Sequence, residues 1–231
     1  MCWRRVDQSN DVQSLNTQMK VWFPWDFDPE GNTLVCYYES AQGLGNQRIL
    51  TLTGDDISGW KAMQSSNLIA SAANEVDGRF SSDGQWLAYS SNESGIHQIY
   101  IANASGKGAR LPISANQYQS RHPIWSKAKS ELLFGTRTET FKTPFAVNDD
   151  TANQVYVSTF SASGGSLSVS TPVPSPKGIS YGRFEIDPDG ERLLVRSKVA
   201  DSEKTFDQIK LFEGFADYLK EQLSNDQSSA N

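Results

Sequence analysis

Residues 80–88 read Phe80-Ser81-Ser82-Asp83-Gly84-Gln85-Trp86-Leu87-Ala88. An aromatic residue leads into a polar turn with a glycine, and an apolar pair follows. The same grammar recurs in Phe27-Asp28-Pro29-Glu30-Gly31-Asn32-Thr33-Leu34-Val35, in Trp125-Ser126-Lys127-Ala128-Lys129-Ser130-Glu131-Leu132-Leu133 and in Ile186-Asp187-Pro188-Asp189-Gly190-Glu191-Arg192-Leu193-Leu194. The third copy carries Lys129 where the others carry Gly31, Gly84 and Gly190. Successive copies lie 53, 45 and 61 residues apart, and a period near 50 is that of propeller blades. Asp83-Gly84 and Asp189-Gly190 predict hairpins, because Gly takes positive φ at little cost and Asp tolerates it. Inner strands are expected at 79–81 and 123–126, and buried strands at 86–90 and 131–135.

A second echo trails each hairpin: Gln47-Arg48-Ile49-Leu50, Gln98-Ile99-Tyr100-Ile101, Gln154-Val155-Tyr156-Val157 and Gln208-Ile209-Lys210-Leu211. The alternation marks third strands. Turn-rich segments at 103–107 and 161–166 then lead toward a fourth, outer strand. Each unit is a small antiparallel sheet that buries its faces only against neighbours. The expected fold is all-β: a β-propeller domain over residues 1–223, with about four blades of four-stranded antiparallel sheet. The blades run at about 21–77, 78–121, 122–181 and 182–212. Residues 1–20 look like the outer half of a preceding blade, with a strand at 3–7, a turn at 8–11 and an edge near Leu15. Phe212, Phe215, Leu219 and Leu223 fall at helical spacing, which predicts a short C-terminal helix, and the polar tail 224–231 is expected to be disordered.

Composition limits the function classes. The 231 residues carry 21 Lys+Arg against 27 Asp+Glu, a net charge of −6, and show no basic stripe, so no nucleic-acid partner is expected. No apolar run is long enough to span a bilayer, and residues 1–20 hold no apolar core of a signal peptide. Cys2 and Cys36 alone exclude a disulfide framework. The sequence nominates no catalytic, cofactor-binding or metal-ligating residue. Gly164-Gly165-Ser166-Leu167-Ser168 lacks the second glycine of a nucleophile elbow. Ser-x-x-Lys occurs at 58–61 and 126–129 without its companion motifs. Asp26-Phe27-Asp28 lacks the glycine of the kinase magnesium motif, and Asp187-x-Asp189-Gly190, which begins like a calcium loop, is already explained as a repeat turn. Asp149-Asp150 reads as solvated. His97 and His122 read as ordinary side chains, although His122 borders an inner strand and so the axial funnel. Asn92-Glu93-Ser94 and Asn103-Ala104-Ser105 fit glycosylation sequons but read as turn chemistry.

The repeat resembles that of the TolB-like family of bacterial β-propellers, related to WD-type repeats. Its best copy runs from Phe80 to Gly95 and resumes at Gln98-Ile99-Tyr100-Ile101, with Ser82 where the family has proline; Pro29 and Pro188 keep it. The ending at 208–223 is similar to the close of propellers that follow bacterial membrane-spanning Ser/Thr kinases, and similar propellers follow winged-helix regulators. There the propeller is a sensing or interaction module outside the membrane. The resemblance implies a propeller, and the missing catalytic motifs favour a non-enzymatic, ligand-sensing scaffold with a protein or peptide partner. It also implies a periplasmic or extracytoplasmic location if the chain belongs to a longer protein, and a cytoplasmic one if it is complete. The alternative is the propeller of an enzyme, a Ser/Thr kinase or a prolyl-oligopeptidase-type peptidase. Four blades in a family that uses more favour an open part of a larger ring, of about six to eight blades, over a closed four-bladed one. Open faces would then self-associate.

Overall fold

The structure, a computed structural model, describes residues 2–3, 13–15, 21–39, 45–55, 59–114, 118–137, 154–175, 183–199 and 206–212. The expected helix and tail, the turn at 8–11 and Asp149-Asp150 lie outside these. The described residues form a short strand pair and four antiparallel sheets. Strands β1 (Cys2–Trp3) and β2 (Gln13–Ser14) make the pair. The first full blade contains β3 (Val21–Phe27), β4 (Thr33–Glu39), β5 (Gly45–Asp55) and β6 (Gly59–Ile69). The second contains β7 (Glu75–Phe80), β8 (Trp86–Ser91), β9 (Gln98–Asn103) and β10 (Leu111–Pro112). The third contains β11 (Gln119–Trp125), β12 (Glu131–Arg137) and β13 (Gln154–Ser163), with β14 (Ser166–Val169) and β15 (Val173–Pro174) both on β13. The fourth contains β16 (Arg183–Ile186), β17 (Leu193–Val199) and β18 (Phe206–Phe212).

Strand alternation divides the core. On β8 and β9, Leu87, Tyr89, Tyr100 and Ala102 face blade one, where they meet Val35, Leu68 and Ile69. Trp86, Ala88, Ile99 and Ile101 face blade three, where they meet Trp125, Leu132 and Phe134. All six residues of β8 are therefore buried, because the strand sits between two blades. Blade one buries its other face, through Leu34, Cys36, Leu50 and Leu52, under Leu15 from the strand-pair unit. At ~25 cal/mol per Å² of apolar area, these stacked faces are the main stabilising term.

The hairpins differ from the expected form. Only the glycines take positive φ: 74° at Gly31, 69° at Gly84 and 74° at Gly190. Asp83 and Asp189 do not. In each turn the glycine N–H donates to the carbonyl three residues back, at Asp28, Ser81 or Asp187, over 2.9–3.0 Å. That is a four-residue turn closed by a glycine, not a two-residue Asp-Gly turn. Its first residue also caps it. Asp28 Oδ1 accepts from the N–H groups of Asn32 and Thr33, and Asp187 Oδ1 accepts from those of Glu191 and Arg192. The glycines also let neighbouring turns nest. A Cβ on Gly84 would lie 3.1 Å from Pro29 Cδ of blade one, and one on Gly190 would lie 3.1 Å from Ser126 Oγ of blade three.

The recurring glutamine has a structural reason. Gln47 Nε2 donates to the Glu75 carbonyl at 2.8 Å, Gln98 Nε2 to that of Tyr118 at 2.8 Å and Gln154 Nε2 to that of Ser175 at 2.6 Å. In blades one to three the third strand thus ties down the chain that leads toward the next blade. Buried carbonyls need such partners.

Candidate functional site

The inner strands are longer than their turns suggest, because bulges interrupt the alternation. Register shifts fall between Pro24 and Asp26, between Val76 and Arg79, and between Arg121 and Ile124. Beyond the bulges, the last two residues of each inner strand share one register. Phe27, Phe80, Trp125 and Ile186 pair with Leu34, Leu87, Leu132 and Leu193. The residues just before them, Asp26, Arg79, Ile124 and Glu185, occupy equivalent positions on the four blades. They surround one cavity of about 580 Å³, which Phe27, Ser82, Trp125 and Lys127 also line. Below it, a neck of about 30 Å³ shares Arg79, Ile124 and Glu185 and adds Trp25, Asp77, His122 and Phe184. Together they make a funnel, wide at the hairpin end.

Several of its residues also fasten the blades. Asp26 Oδ2 accepts from the Phe80 N–H at 3.0 Å, and Arg79 Nη1 donates to the Trp25 carbonyl at 2.5 Å. Trp125 Nε1 donates to the Arg79 carbonyl at 3.0 Å. Burial raises the Asp26 carboxyl above its ordinary value against the pull of the Phe80 N–H and of Arg79.

At the bulges, Asp77 and His122 hold equivalent positions and both take left-handed backbone, with φ of 60° and 57°. Each such residue costs about 1–2 kcal/mol. The two bulges support each other. The buried Asp77 carboxylate accepts from Arg121 Nε at 2.6 Å and Nη2 at 3.3 Å, and from the His122 N–H at 3.3 Å. His122 Nδ1 lies 3.5 Å from the same oxygen. Burial alone would raise the Asp77 carboxyl; Arg121 and His122 outweigh it and hold the group well below the usual carboxylate range. His97 lies elsewhere, buried between blades two and three. Ser90 Oγ donates to the Ser120 carbonyl at 2.9 Å and lies 3.1 Å from His97 Nδ1. Nδ1 therefore carries the proton. Burial, with Arg121 nearby, lowers the imidazole to about 4, so it is neutral near pH 7.

The other residues singled out in the sequence lie apart from the funnel or serve turns. Lys129 Nζ donates to the Gly190 carbonyl at 2.8 Å and pairs with Glu191 at 3.0 Å, so the glycine-less third turn supports the fourth. Asp187 and Asp189 spend their oxygens on turn N–H groups and on Arg192. Asn92 and Asn103 accept from the N–H groups of Asn74 and Ser105. Gly164-Gly165 is the exposed turn between β13 and β14. Ser58 lies outside the described residues. Among the described residues, no three His, Cys, Asp or Glu side chains are grouped to hold a metal ion, and no helix is long and apolar enough to cross a membrane. Sequence reading did not single out Arg79, Lys127 or Glu185. The signal was present: Arg79 and Glu185 sit in the column just before the aromatic or apolar residue of each repeat.

The chain is similar to the solved structure of a putative TolB from Agrobacterium tumefaciens, with a TM-score of 0.53 and 16% identity, over 89% of this chain and 63% of that one. The fold is a TolB-type β-propeller. TolB from Acinetobacter baumannii gives 0.51 and 13%, over 88% of this chain and 43% of that one. Puromycin hydrolase gives 0.54 and 11%, over 87% and 28%. The chain spans less than two thirds of the length of each. No protein-family profile and no curated protein matches it by sequence. At these identities the likeness establishes the fold, and the likeness to propellers of kinases and winged-helix regulators rests on sequence alone.

Proposed function

We propose that this chain is a non-catalytic binding module whose axial funnel receives a protein or peptide segment. The observation that carries the reading is the funnel itself. Four blades converge equivalent positions on one cavity of about 580 Å³, open at the hairpin end and walled by both aromatic and charged side chains. That size and mixed lining suit a ligand site. The location that goes with this reading is extracytoplasmic. The test is site-specific photocrosslinking of the full chain. A crosslinker at Ser82, exposed on the funnel wall, should trap a partner that one at Met63, on the outer strand β6, does not. Equal trapping at both positions, or none at Ser82, refutes the reading.

A second reading, the propeller of an enzyme, is favoured by one observation: 87% of this chain superposes on 28% of puromycin hydrolase. Intact mass of the native protein decides. A mass that includes a catalytic domain supports it, and one near 25.6 kDa counts against it.

A further inference from the structure

The charges of the funnel deepen that reading, and the inference rests on it. Elsewhere among the described residues several cations are paired, while the exposed Lys61 and Lys107 make no ion pair. Arg110 pairs with Glu93 at 2.7 Å, Arg121 with Asp77 at 2.6 Å, Lys129 with Glu191 at 3.0 Å and Arg192 with Asp187 at 2.6 Å. Two of those pairs, at Lys129 and Arg192, belong to the same hairpin end as the funnel mouth. The two cations that line the cavity itself, Arg79 and Lys127, have no carboxylate within ion-pair distance among the described residues. Arg79 spends one N–H on the Trp25 carbonyl, and a guanidinium has five donors.

The acidic side of the cavity is uneven. Asp28 gives Oδ1 to its turn. Asp26 is held by the N–H groups of Phe27 and Phe80; burial raises its carboxyl against the pull of those N–H groups, Arg79 and Lys127, and it makes no ion pair with either cation. Glu185, exposed on blade four, makes no ion pair among the described residues. The cavity therefore holds two cations on blades two and three that make no ion pair, with the half-buried Asp26 near them, and an exposed carboxylate on blade four that makes none. Its walls include Phe80 and Trp125, which are buried. Charges set in a concave, partly apolar wall focus the field on what enters, and charge-assisted hydrogen bonds formed there are stronger than neutral ones. The neck, at about 30 Å³, admits no side chain larger than a few atoms, so the occupant enters from the mouth and stops.

We propose that the funnel takes an extended peptide whose carboxylate, from an acidic side chain or a free C terminus, sits between Arg79 and Lys127, while a nearby cationic side chain sits on Glu185. Lys127 and Glu185 are exposed, so both can be changed without disturbing the core, whereas Arg79 also fastens blade one.

The test uses the full chain and two positional-scanning hexapeptide libraries, one with free and one with amidated C termini, read by fluorescence polarisation. The expected result is selection of Asp or Glu at one position in both libraries, which identifies a side-chain carboxylate. Selection of the free library over the amidated one identifies a chain terminus. In either case Lys127→Glu weakens the selected peptides about three- to tenfold, and Lys127→Glu combined with Glu185→Lys inverts the charge preference. Circular dichroism melts confirm that both variants fold, and Lys127→Ala stands in for a variant that does not. Peptide binding without a carboxylate preference, or a preference that Lys127→Glu leaves in place, overturns the inference and leaves the funnel as the site. No binding by either library overturns both.

Discussion

Replacing Glu75 by glutamine is expected to stabilise the protein above pH 7 and to change little near pH 4.5. Glu75 is fully buried at the start of β7, on the face of blade two that packs against blade one. One carboxylate oxygen accepts the Ser71 hydroxyl, and the other, Oε2, has no hydrogen-bond partner. Burial pushes the carboxyl from 4.5 up to about 7, against the pull of Ser71 and Arg110 and with a further push from Glu93. A folded-state value above the unfolded one means that the native state holds the proton more tightly. The stability contributed by the protonated form is complete below pH 4.5, declines as pH rises through about 7, and is gone above it. The gap is worth at most about 3 kcal/mol. Glutamine keeps an oxygen for Ser71 and has no proton to lose. Guanidinium unfolding at half-unit steps from pH 4.5 to 8.5 should show the variant pulling ahead of the wild type, by about 1–3 kcal/mol at pH 8. Parallel curves across the window, or a variant less stable at pH 8, would refute the reasoning.

His97 works the other way. Its imidazole is lowered to about 4 by burial and by Arg121, so its stability contribution is present above pH 6.5 and lost as pH falls toward 4. His97→Asn, which keeps a donor near the Nδ1 position, should flatten the acid limb of the same unfolding series; an unchanged limb rules out this assignment. Asp77→Asn tolerates the left-handed backbone but removes the Asp77 charge from a buried ion pair with Arg121, and should lower stability by about 3–5 kcal/mol; a loss below ~1 kcal/mol in urea unfolding would mean the pair is dispensable. Gly84→Val should cost more than Gly165→Val. Both glycines have positive φ, 69° and 78°, but only at Gly84 does the added carbon meet a neighbour, Pro29; equal denaturation midpoints would contradict the nesting of the turns. Light scattering of the isolated chain should show species above the 25.6 kDa monomer if blade faces are left open, and a stable monomer would favour a closed ring.

What the sequence revealed and what it hid follow from the range of the interactions. The hairpins were legible because their determinants are local: Gly31, Gly84 and Gly190 each close a turn whose first residue, Asp28, Ser81 or Asp187, caps it within five positions. Strand faces were legible because alternation is local too. The turn type was not, since Asp-Gly fits two geometries and only the carbonyl three residues back decides between them. The bulges at Asp77 and His122 were hidden, because the Arg121 pair that supports the left-handed backbone at Asp77 spans 44 residues. Lys129 looked like a lost glycine; its reason for being there, the Gly190 carbonyl, is 61 residues away. The funnel itself exists only once four inner strands share a register, which no single stretch of sequence contains.

The glutamine at or near the start of the third strand in blades one to three determines where this chain tolerates being cut. Gln47, Gln98 and Gln154 reach across to the Glu75, Tyr118 and Ser175 carbonyls, so the seams between sheets are stitched. A nick or a new terminus placed at a seam strips a buried amide and a buried carbonyl of each other, at about 1–3 kcal/mol for each orphaned group. The β13–β14 turn carries no such stitch: Gly164 and Gly165 have no heavy atom within 4 Å of where a side chain would start. Split-protein halves, circular permutants and inserted tags belong there, inside a blade, and not at the boundaries where the sheets appear to end.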